Sequence, residues 1–258
     1  MSTIIYPSPI FGPVHSRRLG VSLGINLLPA DGKVCTFDCI YCECGFNADH
    51  RPKLKMPTRE EVAEALEAKL KEMKQNGPHP DVLTFAGNGE PTLHPDFPRV
   101  IERTLQLRDQ YYPEVKVSVL SNATQIGKEA VRSALLQVDN NILKIDGAFD
   151  ETVRLIDQPA DSHYTVRQVI EWMKTFRGQL IVQTMFVRGE HDGKRVDNTT
   201  PQEVAAWCDL MREVRPHQIM VYSLDRPTPE PLLTKVSKEE MTQLVAPLLA
   251  EGFNIQIV

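Results

Sequence analysis

The sequence has no apolar run close to the roughly 20 residues that a membrane-spanning helix needs. Its start, M-S-T-I-I-Y-P-S-P-I, has neither a basic segment nor a long apolar stretch, so we expect no secretory signal and a cytoplasmic protein. No internal repeat of fixed period and no low-complexity tract is visible. These absences point away from membrane, secreted and repeat proteins, while a hydrophobic content of 41% is enough for a sizeable core.

An excess of positive charge is also missing. The 258 residues carry 29 Lys and Arg against 34 Asp and Glu, which gives a net charge of −5. A protein dedicated to nucleic acid usually presents a basic face to the phosphates. The composition therefore does not favour a nucleic acid as the main partner.

Cysteine is scarce, and the total of five is an odd number that does not suit a framework of disulfides. Three of the five, Cys35, Cys39 and Cys42, lie close together in C-T-F-D-C-I-Y-C. A helix or strand would fan these thiols apart, whereas a loop can wrap them around one object. An iron–sulfur cluster is the natural object for thiolate ligands. A [4Fe–4S] cluster on three cysteines keeps one iron open for chemistry.

Zinc is the alternative occupant of the triplet, because Cys44 and His50 are near enough in sequence to complete a site with four ligands. A noncatalytic iron–sulfur or zinc protein that serves electron transfer or assembly therefore stays open beside an enzyme. For a cluster, Cys44 is interpreted as a bystander thiol, since the fourth iron has to remain open. Cys208 falls on the apolar face of a predicted helix and is interpreted as a small core residue.

A second motif, V-L-T-F-A-G-N-G-E-P, runs from Val82 to Pro91. A short apolar run that ends in two glycines and a carboxylate is typical of a strand leading into a tight turn. Glycines let main-chain carbonyls approach a ligand closely, and Glu90 offers an acceptor for an ammonium or hydroxyl group. Taken alone, the motif is also typical of an ordinary strand-to-helix loop.

Together, C-x3-C-x2-C and the strand with G-N-G-E-P resemble the radical S-adenosylmethionine (SAM) superfamily, over about residues 20 to 225. The resemblance implies a [4Fe–4S] cluster on Cys35, Cys39 and Cys42, with SAM as the second cofactor. It implies that one electron cleaves SAM to a 5′-deoxyadenosyl radical, which removes a hydrogen atom from the substrate. The residues that it implies for SAM binding are Tyr41, Gly87, Asn88, Gly89, Glu90, Ser121, Asn122, Gln183 and Met185.

Strand-like and helix-like segments alternate along the rest of the chain. Strands are predicted at residues 21–28, 82–86, 115–120, 140–146, 179–187, 218–223 and 253–258. Six βα units in series predict an α/β fold, a partial (β/α)6 TIM-like barrel of parallel strands with outer helices. We expect a single domain over 1–258, with a core at about 20–225 and a C-terminal extension at 226–258.

Three helix starts carry the capping-box pattern, a Ser or Thr followed three residues later by Glu. The pairs are Thr58 with Glu61, Thr200 with Glu203, and Ser237 with Glu240. Pro247 is expected to kink or split the last helix, because it removes a backbone donor.

Polar residues follow the predicted strands at their carboxyl ends, where ligands bind in such sheets. They are Cys35, Glu90, Ser121, Asn122, Lys144, Asp146, Gln183, Tyr222 and Asp225. Lys144 and Asp146 alternate around Ile145, so both are expected to face the cavity, and they are the candidate catalytic residues. The alternative is a buried ion pair that supports the barrel.

The segment G-P-V-H-S-R-R-L-G, taken with C-T-F-D-C-I-Y-C-E, resembles a radical SAM subfamily grouped with wyosine-type tRNA base synthases. Those enzymes carry a further cysteine triplet upstream, and this chain has no cysteine before Cys35. A tRNA base, a small metabolite, a peptide and a glycyl-radical partner are therefore all candidate substrates. Basic residues flank the triplet and are interpreted as a solvated rim or as a docking face for a flavodoxin or ferredoxin reductant. They are Arg17, Arg18, Arg51, Lys53, Lys55 and Arg59.

Overall fold

A computed structural model describes residues 3–16 and 19–258, so Arg17 and Arg18 of the basic cluster lie outside the described residues. The strands are β1 (Ile10–Ser16), β2 (Gly20–Ile25), β3 (Val82–Phe85), β4 (Lys116–Ser121), β5 (Asn140–Lys144), β6 (Ile181–Met185), β7 (Val187–His191), β8 (Lys194–Asp197), β9 (Gln218–Tyr222), β10 (Thr234–Lys235) and β11 (Ile255–Ile257). The α-helices are α1 (Arg59–Asn76), α2 (Phe97–Tyr111), α3 (Glu129–Leu135), α4 (Asp150–Ile156), α5 (Val166–Lys174), α6 (Pro201–Val214), α7 (Lys238–Leu244) and α8 (Ala246–Ala250).

The central sheet has the strand order β1-β2-β3-β4-β5-β6-β9-β11. Strands β2 to β11 of this sheet pair in parallel, and β1 pairs with β2 in the antiparallel sense. Parallel neighbours need crossover connections, which the helices supply. The sheet curls into a half-barrel with helices around it, which confirms the predicted partial barrel.

Buried apolar faces explain why these segments form the fold. All four residues of β3 and all five of β6 are buried, as expected for parallel strands covered on both faces. Helix α1 buries the stripe Val62, Leu66, Leu70 and Met73 against the sheet. Across 3–16 and 19–258, no helix is both long and apolar enough to cross a bilayer.

The capping boxes at Thr58 and Ser237 are confirmed, with both hydrogen bonds of each box in place. At Thr200 only half of the predicted box forms, since its side chain accepts from the Glu203 N–H. The Glu203 carboxylate instead accepts from the Ala148 N–H and from the Thr152 hydroxyl, at 2.8 Å. This acid therefore anchors the segment after β5 rather than its own helix start.

Helices α7 and α8 meet at Val245, two residues before Pro247, so the predicted split of the last helix is confirmed. The strand predicted at 179–187 was too long. It ends at Met185, and the chain then turns into the β7–β8 hairpin, which forms a small second sheet with β10. Asp192 and Gly193 at the tip both have positive φ, so Asp-Gly was a hairpin signal that the sequence reading missed.

Asn198, directly after β8, fastens this hairpin to the carboxyl ends of the barrel strands. Its Oδ1 accepts from the Val187 N–H at 2.8 Å. Its Nδ2 donates to the Met185 carbonyl at 2.7 Å and to the Asp146 carbonyl at 2.8 Å. One side chain, 2% exposed, thus joins the hairpin to the ends of β5 and β6.

We expect Asn198→Ala to lower the free energy of unfolding by about 2–3 kcal/mol, because a buried N–H and two buried carbonyls lose their partner. Urea unfolding followed by circular dichroism measures the change. The matched control, Asn76→Ala at the exposed end of α1, should stay within about 0.5 kcal/mol of the parent chain. Equal stability of the two variants would contradict the role of Asn198.

Candidate active site

The three clustered cysteines lie in a segment without helix or strand, which confirms the predicted loop. The thiols of Cys35, Cys39 and Cys42 lie close enough to influence one another's ionisation. Among the residues that the structure describes, no three His, Cys, Asp or Glu side chains form a group that would hold a single metal ion. The chemistry of the donors, three thiols on one loop, fits a [4Fe–4S] cluster.

The three thiols sit in different electrostatic surroundings. Burial, reinforced by the charge of Glu90, raises the pKa of Cys35 to about 12. Burial also raises the pKa of Cys39, whose thiol donates to Asp157 at 3.1 Å. A hydrogen bond with Cys44 lowers the pKa of Cys42 to about 6, against the effect of burial. Cys42 is therefore the thiol that ionises first.

The two residues considered for a zinc site have other partners. Cys44 is 3% exposed, hydrogen-bonds Cys42 and lies with its sulfur 3.4 Å from the Gly87 carbonyl oxygen. Cys44 therefore contacts a candidate cluster ligand directly, and its interpretation as a thiol that does not itself bind the cluster stays a prediction. The Nε2 atom of His50 lies 2.6 Å from the Thr3 hydroxyl.

The glycine motif packs directly on the cysteine loop. The Val34 N–H donates to the Asn88 carbonyl at 2.9 Å, and the Glu90 N–H donates to the Val34 carbonyl at 3.1 Å. Gly89 lies between these bonds with φ +130°, and a Cβ atom there would stand 1.9 Å from the Val34 oxygen. Only glycine permits this approach, so the motif is more than an ordinary turn.

Glu90 is buried and braces the ends of two neighbouring strands. Its Oε1 accepts from the Thr92 N–H and hydroxyl and from the Ser121 hydroxyl at 2.9 Å, and its Oε2 accepts from the Asn122 N–H at 2.7 Å. Burial raises the pKa of Glu90, and these hydrogen bonds act in the opposite direction. The carboxylate expected to receive a ligand ammonium is thus already engaged by protein donors.

Asn122 connects the end of β4 to the cysteine loop. Its Nδ2 donates to the Thr36 hydroxyl at 2.9 Å and lies 3.6 Å from the Cys35 sulfur. Asn88 has a different setting: its side chain is fully buried and bonds to the Tyr6 N–H and the Pro29 carbonyl, each at 2.8 Å. The Asn88 side chain therefore holds the N-terminal segment, while the Asn88 backbone carbonyl accepts from the Val34 N–H.

Lys144 and Asp146 meet at the end of β5, with Tyr41 between them. The Tyr41 hydroxyl donates to Asp146, and the Lys144 ammonium donates to the Tyr41 oxygen and to Asp146 at 3.0 Å. Burial works to lower the pKa of Lys144, but the charge of Asp146 raises it well above the ordinary value. Burial and Asp146 likewise raise the pKa of Tyr41. The group therefore holds an ammonium and a neutral phenol.

Asp157 belongs to the same group of side chains as Tyr41, Lys144 and Asp146, although no pattern in the sequence identified it as a site residue. It caps the C-terminus of α4, a helix that the sequence reading did not predict. Its Oδ1 accepts the Cys39 thiol and lies 3.4 Å from the Tyr41 oxygen. Burial and neighbouring Asp146 raise the pKa of Asp157 well above its usual range.

Gln183 and Met185 lie on β6 and are 7% and 6% exposed. Gln183 pairs in register with Lys144 across the sheet. In the part of the chain that the structure describes, the Gln183 Nε2 is a buried donor with no hydrogen-bond partner. A free amide donor beside Lys144 fits the polar group of a bound ligand.

Residues 31–200 match the family model described as "Radical SAM superfamily". The chain is 31% identical over 235 residues to "GTPase Obg" of Brachyspira hyodysenteriae, a match that covers 90% of this chain and 32% of that protein. It therefore spans about a third of that relative. It is 29% identical over 241 residues to the "UPF0026 protein MJ1312" of Methanocaldococcus jannaschii, covering 92% of this chain and 70% of the relative.

Solved structures show the same fold at low sequence identity. SuiB of Streptococcus suis bound to SAM has a TM-score of 0.62 at 15% identity, over 90% of this chain and 49% of SuiB. TYW1 with a lysine–pyruvate adduct has a TM-score of 0.63 at 16% identity, over 88% of this chain and 72% of TYW1.

In the metal-free protein, we expect iodoacetamide to alkylate Cys42 before Cys35, because the thiolate is the nucleophile. The rate at Cys42 should rise through a midpoint near pH 6, the pKa that its bond with Cys44 produces. Tandem mass spectrometry of peptides from a pH series measures this midpoint. Cys44→Ala should move it upward, towards the roughly 8.5 of a free cysteine. Cys208→Ala should leave it unchanged, and an unmoved midpoint in Cys44→Ala would refute the assignment.

Proposed function

This chain belongs to the radical SAM superfamily, and from that membership we propose that it cleaves SAM reductively and removes a hydrogen atom from a substrate. In this proposal Cys35, Cys39 and Cys42 hold a [4Fe–4S] cluster. When bound, the cluster supplies the single electron that breaks the bond between sulfur and C5′, which yields methionine and the 5′-deoxyadenosyl radical. The observation that supports it most directly is the convergence of three thiols on one loop against Gly89.

The proposed SAM site lies between the cysteine loop and the ends of β3, β4 and β6. Asn122 touches the cysteine loop, and the Gln183 amide is a buried donor available to a ligand. SuiB and anSMEcpe, which share the fold, were both determined with SAM bound. The proposed SAM-binding residues remain Tyr41, Gly87, Asn88, Gly89, Glu90, Ser121, Asn122, Gln183 and Met185, with Glu90 acting as the brace that sets the others.

Lys144 is the proposed substrate-binding residue, with Asp146 holding it in place. Its side chain is 16% exposed and that of Asp146 is fully buried, so Lys144 is the more accessible member of the pair. An ammonium in this position orients a carboxylate, phosphate or carbonyl oxygen through a charge-assisted hydrogen bond. The candidate substrates therefore share an anionic or carbonyl oxygen near the hydrogen to be removed.

Three classes of molecule are candidate substrates. SuiB has also been solved with its precursor peptide SuiA, which makes a peptide one candidate. The resemblance to wyosine-type synthases makes a nucleotide base another, and a small metabolite a third. We propose a flavodoxin or ferredoxin as the reductant, docking on the exposed cations Arg51, Lys53 and Lys55. That segment adjoins the cysteine loop, where the Lys33 N–H donates to the His50 carbonyl at 2.7 Å.

The full chain, reconstituted with iron and sulfide without oxygen, should bind about four irons. Reduced with dithionite, it should form 5′-deoxyadenosine from SAM, measured by liquid chromatography. Ala at Cys35, Cys39 or Cys42 should abolish both iron retention and this product, whereas Cys208→Ala should preserve both. A reducible cluster that leaves SAM intact, or purified protein that carries zinc alone, would favour a noncatalytic protein instead.

Lys144→Met, made together with Asp146→Asn so that no buried charge is left unpaired, tests the substrate role. We expect this double variant to keep its iron. Its rate of SAM cleavage without substrate should stay within about twofold of the parent rate, because a tenfold change in rate needs about 1.4 kcal/mol. Lys116→Met, on the exposed start of β4, is the control. Intact iron with lost SAM cleavage would assign Lys144 to SAM rather than to substrate.

A further inference from the structure

Lys33 is a buried cation that no step of the proposed reaction uses. Its side chain is 1% exposed, and its ammonium donates to Asp38 at 3.0 Å and to the Gly45 carbonyl at 2.7 Å. Asp38 precedes the second cysteine of the triplet and Gly45 follows the third. One side chain thus ties together two distant points of the cysteine loop. Because burying an ammonium is costly, such an arrangement calls for an explanation beyond stability.

Asp38 extends this tie to the first cysteine. The oxygen that accepts from Lys33 also accepts from the Asn47 N–H at 2.8 Å. The Asn47 side chain in turn donates to the Cys35 carbonyl at 3.3 Å and the Phe37 carbonyl at 3.1 Å. The network of Lys33, Asp38 and Asn47 therefore closes the loop into one shape through bonds that involve no cysteine sulfur.

The charge of Lys33, fixed in the cysteine loop by its bonds to Asp38 and Gly45, also acts on the thiols. The sulfur groups of Cys42 and Cys35 are among its strongest electrostatic partners, together with Asp38. The Asp38 side chain is 25% exposed, so water screens its charge more than that of Lys33. A cluster on three thiolates becomes more negative when it gains an electron, and a nearby buried cation stabilises that reduced form.

We propose that Lys33 is a positioning residue that holds the cysteine loop in its ligand-binding shape and favours the reduced state of the cluster by its fixed charge. The second role rests on the proposed function, since it needs a cluster. The first does not, because the bonds of the network are formed by the protein alone.

The charge role is tested by a redox titration of the reconstituted full chain, followed by electron paramagnetic resonance. Lys33→Met should lower the ratio of reduced to oxidised cluster about tenfold at a fixed potential. This corresponds to a decrease of about 59 mV in the reduction potential of the cluster for one electron. Asp38→Asn should shift the ratio the opposite way, because the ammonium stays while its counter-charge is removed. Lys33→Arg should restore the parent ratio, and Lys116→Met should not change it.

The shape role is tested on the metal-free full chain by hydrogen exchange of residues 34–47. Lys33→Met should speed exchange of this segment about tenfold, with Lys116→Met unchanged. Equal exchange in the two variants would overturn the shape role, and shifts of the same sign in Lys33→Met and Asp38→Asn would overturn the charge role. A parent chain that takes up no iron would refute the proposed function, while the exchange comparison would still decide whether Lys33 holds the loop.

Discussion

The close approach of two backbones, at Val34 and Gly89, is the constraint on which the candidate site depends. An isolated parallel β-bridge between Val34 and Gly89 brings the cysteine loop against the end of β3. A Cβ atom at Gly89 would occupy the space of the Val34 carbonyl. Glu90, next in the chain, then carries the contact to β4 by accepting from Ser121 and Asn122. Asn122 returns to the cysteine loop through Thr36. A closed circuit of hydrogen bonds thus sets the cysteines at the carboxyl edge of the sheet.

Two buried lysines act on different thiols of the cysteine loop. Lys33 lies towards Cys35 and Cys42, and Lys144 lies on the side of Cys39, next to Tyr41 and Asp146. Each ammonium is paired with a carboxylate, so neither is an uncompensated charge in a medium of low dielectric. This arrangement suits a centre that gains negative charge on reduction. In our proposals, Lys33 is the cation that shapes the loop and Lys144 is the cation that binds the substrate.

Segments outside the six neighbouring strands β2, β3, β4, β5, β6 and β9 brace or extend the central sheet. The β7–β8 hairpin is fastened to β5 and β6 by Asn198, and the C-terminal residues add β11 to the sheet beside β9. Near the N-terminus, the Tyr6 backbone holds the Asn88 side chain. The single domain over 1–258, with a C-terminal extension at 226–258, stays a prediction; β1 and β11 both pair into the same sheet as the core strands.

Local patterns in the sequence predicted most strands and helices of the half-barrel and the loop that carries three thiols, because periodicity, capping residues and cysteine spacing are encoded over short distances. They also brought Lys144 and Asp146 together, since alternate residues of one strand share a face. They missed β1, the β7–β8 hairpin and α4. Only the tertiary structure decided that Glu90 is a brace, that Cys44 touches Cys42 and that Asp157 joins Tyr41. Those contacts link residues between 2 and 116 positions apart, through burial and side-chain direction. Such pairings arise when loops from different strands pack at one edge, which no pattern along the chain records.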